Sequence, residues 1–421
     1  MTVTSVRYQP RIARTTPQGT PRRRTIYAFA EYFPDPFKPY LDTQFAQLVS
    51  EGHALRVFAF GSWGDIGNTP MRRFRLGERT EYLPVSREGL RDSRAALSRS
   101  LVAHPTRLRA AIAAAHAPKI TTRVVQAAQG MLLPDVAPDL CLIHNLTTAT
   151  HLAAIGRLYP DSRVALYYHG GETAAPLDPE LVRAAFARAD VVFANTNYAG
   201  DHAVARGCPP DRIRILPLGF DLSQFTVRSE RVYLPNGVLR LIAVGRLSPE
   251  KGFAHLIDAL ALVIHDGGVA VHLTIVGDGD ERDALEARAR AAGIDSHIRF
   301  AGVLPHASVL EELHHADALV LSSIPTPTFE ENQGCVLQEA MLCRLAIIAS
   351  DTGGVPESVA PAMLEWLVPP GDATAIAERI RRLANVPVAE LNTLGWVSRR
   401  FAESRYDARP LTRRLLRESL L

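Results

Sequence analysis

Short apolar runs alternate with amphipathic segments along most of the chain, and they do so in two separate series. The first series occupies residues 25–225 and the second residues 236–385, and the pattern lapses around Pro235, Asn236 and Gly237. Strand–helix–strand alternation with continuously apolar strands is typical of a parallel sheet that helices cover on both faces. The sequence therefore predicts an α/β protein with two domains of this kind.

Both ends of the chain differ from these two series. Residues 1–24 contain three prolines and a run of three arginines with little apolar surface to bury, so we predict a flexible basic leader. Residues 386–421 are rich in arginine and continue a helical pattern beyond the second series. The length of 421 residues is consistent with two to three domains.

Composition disfavours several classes of protein. The net charge of +3 gives no sign of nucleic-acid binding, and the four cysteines lack the paired spacing of a zinc site or a disulfide framework. No apolar run approaches the length of a membrane span, and the first residues lack the apolar core of a signal peptide. We therefore expect a cytoplasmic protein that binds no nucleic acid.

Two glutamates in an otherwise apolar segment carry the strongest chemical signal. Glu331 lies in a polar loop that ends at Gly334, and Glu339 lies one turn inside the short helix that begins with Cys335. Free N–H groups at a helix N-terminus favour a phosphate, and a carboxylate accepts two hydrogen bonds from a vicinal diol. This arrangement suits a nucleotide sugar, which has hydroxyls at both ends and a diphosphate between them. The alternative of two solvated acids is disfavoured, because a glutamate in apolar surroundings requires a partner.

A second signal follows the first strand of the second series. Arg246 and Lys251 lie in a loop at the carboxyl end of that strand, where two cations can bind a diphosphate from both sides. Taken alone, they would form a solvated turn. Gly277 begins a Gly-x-Gly turn after the next strand, but the third glycine of a dinucleotide fingerprint is missing. A tight turn and a nucleotide contact are equal alternatives there.

One strand of the first series ends in a histidine that two glycines follow. His169 could bond a sugar hydroxyl or a developing charge, and Gly170 and Gly171 permit a close approach of the backbone. A packed or loop histidine is the alternative for His169. That alternative is the stronger interpretation for His144, which also ends a strand.

Residues 87–123 form a helical and basic stretch with eight cations and two acids. Apolar residues recur among the cations at near-helical spacing, namely Leu90, Leu97, Leu101, Val102, Leu108, Ile112 and Ile120. A basic amphipathic region can lie on an anionic membrane, and a solvated face over the core of the first domain is the equally weighted alternative. The stretch lacks the interleaved aromatic residues that stack on nucleic-acid bases.

As an ordered set, these motifs resemble the retaining family-4 glycosyltransferases of the GT-B fold. The segments that carry the resemblance are Ala189–Val191 with Asn195, Ile215–Asp221, Gly245–Leu247, Glu250–Gly252, Ala316–Ala318, Glu331 with Glu339, and Asp351–Glu357. The first 160 residues match only in pattern, and Pro34–Pro39 stands where the family has a glycine-rich loop. The segment Glu331–Gly334 is similar in sequence to the corresponding segment of transferases of bacterial exopolysaccharide assembly.

The resemblance implies two Rossmann-like domains with a cleft between them. The first domain would face the acceptor and the second would bind the nucleotide sugar, with C-terminal helices at residues 386–421 that cross back to the first domain. Such enzymes retain the anomeric configuration without a metal or other cofactor. The leaving phosphate itself takes the acceptor proton, so no residue need act as a general base.

The resemblance also implies roles for individual residues. Arg246 and Lys251 would hold the donor diphosphate, and Glu339 would bond the ribose hydroxyls. Glu331 would lie against the transferred sugar, with His169 across the cleft beside the acceptor. The implied catalytic residues are Glu331, His169, Arg246 and Lys251, and the implied donor-binding residues are Glu339, Arg246, Lys251, Gly334, Cys335 and Gly277.

The predicted function is transfer of a sugar from a UDP-sugar or GDP-sugar to a hydroxyl acceptor, a glycan or lipid-linked oligosaccharide in polysaccharide biosynthesis. Contact of residues 87–123 with anionic lipid would place the enzyme at the inner face of the cell membrane. A small soluble acceptor and a nucleotide-sugar epimerase of the same fold are the alternatives. A phosphorylase would need a lysine-bound pyridoxal cofactor, and a binding module would tolerate loss of Glu331. The incomplete glycine fingerprint disfavours a nicotinamide dehydrogenase.

Overall fold

The computed structural model describes residues 22–64, 69–115, 119–152, 155–170, 177–226, 233–234 and 237–421. Within these residues the chain forms two parallel sheets, one of seven strands and one of six, with helices around both. The predicted α/β architecture of two Rossmann-like domains is confirmed. The predicted leader lies outside the described residues except for residues 22–24, and Arg24 there forms an ion pair with Asp139 at 2.9 Å.

The strands of the first domain are β1 (Thr25–Tyr32), β2 (Ala54–Gly61), β3 (Thr80–Tyr82), β4 (Leu140–His144), β5 (Arg163–Tyr168), β6 (Val191–Ala194) and β7 (Ile213–Ile215). Their order across the sheet is β3-β2-β1-β4-β5-β6-β7, and all neighbouring pairs are parallel. All of these strands except β3 coincide with an apolar run of the first series. This edge strand is three residues long, polar and partly exposed, so it lacks the apolar run that marks a strand.

The strands of the second domain are β8 (Val238–Val244), β9 (Ala270–Val276), β10 (Ile298–Gly302), β11 (Ala318–Leu321), β12 (Ala346–Ser350) and β13 (Leu367–Val368). Their order is β10-β9-β8-β11-β12-β13, and they are parallel throughout. Each of the six coincides with a predicted apolar run.

The helices fall into three groups along the chain. The first domain contributes α1 (Pro39–Ser50), α2 (Thr69–Arg73), α3 (Arg87–Asp92), α4 (Arg94–Ala103), α5 (Pro105–Ala114), α6 (Ile120–Leu132), α7 (Leu146–His151), α8 (Ile155–Leu158), α9 (Pro179–Arg188) and α10 (Asn197–Ala205). The second contributes α11 (Phe253–Asp266), α12 (Arg282–Ala291), α13 (His306–His315), α14 (Cys335–Leu342), α15 (Val355–Ser358) and α16 (Ala373–Ala384). The chain closes with α17 (Val388–Tyr406) and α18 (Ala408–Ser419).

Alternation along the strands gives the first domain a core on each face of its sheet. Successive side chains of a strand point to opposite faces. In β1, Ile26 and Ala28 therefore pack in one core, whereas Tyr27 and Phe29 pack in the other. The second domain has a core of its own, and buried apolar side chains of β8–β12 contribute to it. Each of the two sheets is therefore packed in cores of its own.

In both sheets the strand order reverses beside the first strand of the domain. β2 lies on one side of β1 and β4 on the other, and β8 has the same relation to β9 and β11. Ligands of open α/β sheets bind outside the carboxyl ends of the strands at such a reversal. The loops that follow β1, β4, β8 and β11 are therefore expected to form the site.

The two C-terminal helices lie on different domains, which corrects the prediction that the whole segment 386–421 returns to the first domain. Leu391, Ala402 and Tyr406 of α17 are buried in the core of the second domain. Only α18 crosses back, with Leu415 and Leu416 in a core of the first domain. Leu411 and Leu420 pack against the same core, so the apolar face of α18 is buried against the first domain.

Candidate active site

A cleft with a volume of about 500 Å³ separates the two domains. Residues that follow β1, β4 and β5 form its wall on the first domain, and residues that follow β8, β9 and β11 form its wall on the second. The eight residues predicted from the sequence all line this cleft, namely Glu331, His169, Arg246, Lys251, Glu339, Gly334, Cys335 and Gly277. The fold thus brings together residues that are up to 170 positions apart in the sequence.

Helix α14 begins at the cleft because of the glycine that precedes it. Gly334 has a φ of +60°, and a Cβ there would lie 3.0 Å from Leu337 Cδ1. The first residues of α14, Cys335 and Val336, line the cleft. Burial, with the negative charges of Glu339 and Glu331, raises the pKa of the Cys335 thiol, so the thiol is protonated. The N-terminus of α14 therefore offers N–H groups to an anion rather than a nucleophilic thiolate.

Glu331 forms an ion pair that the sequence did not indicate. Lys251 Nζ donates to Glu331 Oε2 over 2.6 Å, and Ser323 Oγ donates to the same oxygen over 2.8 Å. Glu331 is 7% exposed, so the lysine compensates a carboxylate that has lost most of its hydration. The Lys251 ammonium also lies 4.7 Å from the centre of the Phe329 ring. The pair leaves the wall of the second domain close to neutral at this point.

Backbone geometry fixes the turn that presents Lys251. The residue ends a short 3₁₀ turn, and Gly252 follows with a φ of +64°. A Cβ at Gly252 would lie 2.1 Å from the carbonyl oxygen of Ser322, so only glycine fits beside β11. The close approach of the two loops is what brings the lysine to Glu331.

Arg246 differs from Lys251 although both line the cleft. Its side chain is exposed, and among the described residues it takes part in none of the ion pairs. The exposure of Arg246 agrees with the alternative of a solvated turn. Its location at the cleft also allows the guanidinium to bind an anionic ligand.

Glu339 is paired with a histidine that sequence reasoning missed. His306 Nε2 donates to Glu339 Oε1 over 2.8 Å, and Glu339 is 5% exposed. Burial alone would lower the pKa of His306, but the charge of Glu339 and the hydrogen bond outweigh it and raise this pKa. His306 is the first residue of α13, and a lone histidine after a proline carries no pattern that would distinguish it from a surface residue.

Gly277 proves to be required by a close approach of two loops. It has a φ of +131°, and a Cβ would lie 1.9 Å from the carbonyl oxygen of Gly245. Gly279 is constrained in the same way, because its Cβ would lie 2.4 Å from the carbonyl oxygen of Leu247. Of the two alternatives, the tight turn is therefore present. Gly277 also lines the cleft with its backbone.

The opposite wall holds a stack of neutral rings. His144 Nδ1 and His169 Nε2 are 3.2 Å apart, and the His169 ring stacks on Tyr167 with centroids 4.9 Å apart. Burial and the positive charge of Lys38 lower the pKa of His144 to about 3. Burial, together with the neighbouring His144 and the positive charge of Lys38, likewise lowers the pKa of His169. The interpretation of His144 as a packed strand-end residue was incomplete, because it is the hydrogen-bond partner of His169.

The two residues between Glu331 and Gly334 join the domains. Asn332 Nδ2 donates to the carbonyl oxygen of His169 over 2.6 Å, and Asn332 is also bonded to Asn195. Gln333 Oε1 accepts from the backbone N–H of Leu218 over 2.7 Å. All of these partners belong to the first domain, so the motif fixes His169 relative to the glutamates.

The basic stretch 87–123 folds into α3, α4 and α5 and the start of α6. Arg107 does not belong to the surface: it is 9% exposed and donates to the carbonyl oxygen of Gly130 over 2.9 Å. The apolar residues exposed in this region include Leu101, Val102, Ile112 and Ile120. No helix among the described residues combines the length and the apolar character needed to cross a membrane.

Two family models match the chain, one on each domain. The model described as Glycosyltransferase Family 4 matches residues 40–224, and the model described as Glycosyl transferases group 1 matches residues 229–393. The chain belongs to the family-4 glycosyltransferases of the GT-B fold. The family confirms the prediction of a glycosyltransferase.

Relatives and solved structures agree with this assignment. WcaL of Salmonella typhimurium, a glycosyltransferase named for colanic acid biosynthesis, is 30% identical over 57% of this chain and 59% of its own length. WcaL of Escherichia coli, which bears the same name, is 23% identical over 91% of this chain and 96% of its own length. The crystal structure of Anabaena HepE in complex with UDP and glucose has the same fold, with a TM-score of 0.68 and 19% identity over 94% of this chain and 99% of HepE.

Proposed function

We propose that the protein is a retaining glycosyltransferase that moves a sugar from a nucleoside diphosphate sugar to a hydroxyl of a growing polysaccharide or its lipid-linked precursor. The observation that carries the proposal is the pair of buried carboxylates on the two sides of the α14 N-terminus. Glu331 is bonded to Lys251 and Glu339 to His306, and both carboxylates line the same cleft.

The donor fits this arrangement by its chemistry. The N-terminus of α14 and Arg246 supply positive potential for the diphosphate, and Lys251 has N–H groups beyond the one that Glu331 accepts. Glu339 can accept hydrogen bonds from the vicinal hydroxyls of a ribose, because His306 occupies one carboxylate oxygen and leaves acceptor capacity on the other. Glu331 then lies on the side of the transferred sugar. We propose UDP as the nucleotide, since the relative by fold, HepE, is named as a complex with UDP.

The chemical step needs few groups from the protein. The bond between the anomeric carbon and the diphosphate oxygen breaks, and the acceptor oxygen bonds the same carbon on the same face. The leaving diphosphate takes the acceptor proton. Arg246, Lys251 and the α14 N-terminus stabilise the negative charge that develops on the leaving group, so the proposal includes no metal. His169, kept neutral by burial, can bond a hydroxyl without carrying charge.

Two measurements test the proposal. UDP-, GDP- and ADP-sugars are added separately in a thermal-shift assay, where a ligand of the native state raises the unfolding temperature. Release of nucleoside diphosphate is then followed with and without a polysaccharide-derived acceptor in buffer containing EDTA. We expect stabilisation by UDP-sugars, acceptor-dependent release and a product with the anomeric configuration of the donor. Release of free sugar without acceptor would favour the epimerase, and an inverted product would reject retention.

We also propose that the enzyme is cytoplasmic and lies on the inner face of the cell membrane through the basic surface of α3–α6. This surface exposes Arg94, Arg99 and Arg109 beside Val102, which is 85% exposed, and Ile120, which is 70% exposed. Each cation near an anionic surface contributes about 1 kcal/mol of attraction. The four cysteines all lie among the described residues and form no disulfide, which agrees with a reducing compartment.

Vesicle co-sedimentation across a salt series tests this contact. Binding to anionic but not to neutral vesicles is expected, and it should be lost with salt and in the triple variant Arg91→Gln, Arg94→Gln, Arg99→Gln. Equal recovery in the supernatant with both lipids would leave an enzyme that acts on a small soluble acceptor.

A matched control removes the same charge from other surfaces. The triple variant Arg400→Gln, Arg409→Gln, Arg417→Gln changes three exposed arginines of α17 and α18. It should bind anionic vesicles like the wild type. An equal loss of binding in both triple variants would mean that net charge, rather than the α3–α6 surface, drives the association.

A further inference from the structure

Three large aromatic side chains are exposed at the edge of the cleft on the first domain. Tyr32, Phe37 and Trp63 are 36%, 45% and 60% exposed. Tyr32 and Phe37 line the cleft, and Trp63 extends from Tyr32, with ring centroids 5.4 Å apart. We call these three residues the aromatic platform. Large apolar side chains that are exposed together beside a polar cleft mark an interaction site, because exposed apolar surface is unfavourable in water.

The backbone holds the inner part of the platform in place. Tyr32 ends β1 and pairs in register with Gly61, which ends β2. A Cβ at Gly61 would lie 2.9 Å from Tyr32 Cε1, so the glycine leaves room for the Tyr32 ring across the strand end. The N–H of Trp63 donates to the carbonyl oxygen of Pro34 over 3.1 Å. The two rings are therefore presented by the sheet rather than by a free loop.

A buried aspartate fixes the backbone of the loop that carries the remaining ring. Asp35 is 4% exposed, and its Oδ1 accepts from the N–H of Phe37 over 2.9 Å. Its other oxygen lies 3.5 Å from Lys38 Nζ. The loop after β1, which lacks the glycine-rich form of the family, thus presents a ring and a cation to the cleft at fixed positions.

Polar groups lie in the same wall of the cleft as the platform. Glu31 Oε2 accepts from Asn145 Nδ2 over 3.2 Å, and both residues line the cleft with Lys38 and His169. They offer a carboxylate, an amide, an ammonium and a neutral imidazole. Such a set can bond several hydroxyl groups in different directions. A hydrocarbon chain would instead have to remove these groups from water without satisfying them.

We propose that the aromatic platform is the acceptor subsite, where a hexopyranose ring of the acceptor glycan packs its C–H face on Tyr32, Phe37 and Trp63. This proposal rests on the proposed function, since it names the substrate class for the same cleft. A pyranose of gluco or galacto configuration has one face rich in C–H groups, which suits an aromatic face, and hydroxyls at its edge. The edge hydroxyls would bond Glu31, Asn145 and Lys38. The platform is continuous with the cleft, so the next sugar of the acceptor would lie towards Trp63.

Saturation-transfer difference NMR tests the platform with methyl β-D-glucopyranoside and methyl β-D-galactopyranoside as probes, in the presence of UDP. We expect transfer to the C–H protons of at least one glycoside with the wild type. The variants Trp63→Leu and Tyr32→Leu should each weaken glycoside binding about fivefold. Trp63→Phe, which keeps an aromatic face, should retain most of it. Trp396→Leu is the matched control, because Trp396 is 38% exposed on α17 and should leave glycoside binding unchanged.

Each outcome decides between distinct explanations. Loss of glycoside binding in the leucine variants with unchanged UDP affinity supports the subsite. Equal glycoside binding in wild type and Trp63→Leu, or no glycoside binding by the wild type, overturns it while UDP binding keeps the proposed function intact. Failure of the wild type to bind any nucleotide would reject the proposed function instead. A blue shift of tryptophan fluorescence with anionic vesicles, absent with glycosides and lost in Trp63→Phe, would assign the platform to the membrane and also overturn the subsite.

Discussion

The two walls of the cleft differ in the kind of side chain that they present. The wall of the second domain carries paired charges, with Lys251 bonded to Glu331 and His306 to Glu339. The wall of the first domain carries neutral imidazoles and exposed aromatic rings, with Glu31 and Lys38 as charged groups that are not paired with each other. Fixed charges favour a ligand with phosphates, whereas rings and neutral donors favour a ligand made of hydroxyls and C–H groups. The same fold, used twice, therefore suits two different ligands.

The difference comes from the loops that follow corresponding strands. After β8 the chain makes a tight turn with Gly252, which packs Lys251 against β11. After β1 it enters the loop from Phe33 to Lys38, which Asp35 organises through its own hydrogen bonds. Both loops lie at a reversal of strand order, so each contributes to the cleft although their sequences share no pattern.

The largest expected effect concerns the charged wall. Lys251→Ala should lower turnover about 100- to 1,000-fold, because a group that stabilises the leaving diphosphate is lost. It should also cost about 3–5 kcal/mol of folding stability, since Glu331 would remain buried without its cation. Steady-state kinetics and urea denaturation measure the two effects. The double variant Lys251→Met, Glu331→Gln should recover stability but not turnover, and recovery of both would show that the pair is structural only.

Arg246 sharpens the contrast within that wall. Because its side chain is exposed, Arg246→Ala should leave the free energy of unfolding within about 0.5 kcal/mol of the wild type. Affinity for UDP should fall about 10- to 100-fold, the effect of losing a hydrogen bond to a charged group. Isothermal titration with UDP checks the affinity. A wild-type dissociation constant would mean that this loop is a solvated turn.

Glu339 is expected to act on the nucleoside part of the donor. Glu339→Gln should weaken UDP binding about tenfold, because the carboxylate that accepts from the ribose hydroxyls is lost. Binding of inorganic pyrophosphate, which has no ribose, should stay unchanged, whereas Arg246→Ala should weaken both ligands. Competition titrations with the two compounds separate these residues. Equal weakening of pyrophosphate by Glu339→Gln would contradict a ribose contact.

The smallest expected effect is an opposite pH response of the two walls. The pKa of His144 and of His169 is lowered by burial, so the unfolded chain binds more protons below about pH 6.5 and stability falls on acidification. The pKa of His306 is raised by Glu339. The stability that protonated His306 contributes is therefore fully present below pH 6.5 and is lost as the pH rises through the raised pKa. Chemical denaturation between pH 6 and 8 measures both slopes.

Single substitutions assign the two slopes. His144→Gln should remove part of the acid-side loss, which amounts to about 1 kcal/mol between pH 7 and pH 6 for the two histidines together. His306→Gln should flatten the alkaline side and leave the acid side as it is. A wild-type pH dependence in both variants would show that neither histidine controls stability.

The sequence by itself determined the architecture and predicted residues that share one cleft. Apolar runs of strand length predict buried strands without knowledge of the tertiary structure, because a strand buried on both faces is almost wholly apolar. They predicted twelve of the strands, and the exception, β3, is an exposed edge. The eight predicted site residues share one cleft because each follows a strand or a glycine turn whose direction parallel sheets fix.

Only the tertiary structure decided which groups are partners. His306, Asn332 and Gln333 find theirs across 33 or more positions of sequence, so local pattern carries no sign of them. Arg107 belongs to the basic stretch in sequence but is buried and donates a hydrogen bond to Gly130. Of the two C-terminal helices, α18 crosses to the first domain and α17 does not. Local periodicity shows which face of its own helix or strand a residue occupies. Charge pairing and helix docking depend on distances between elements, which exist only once the chain has folded.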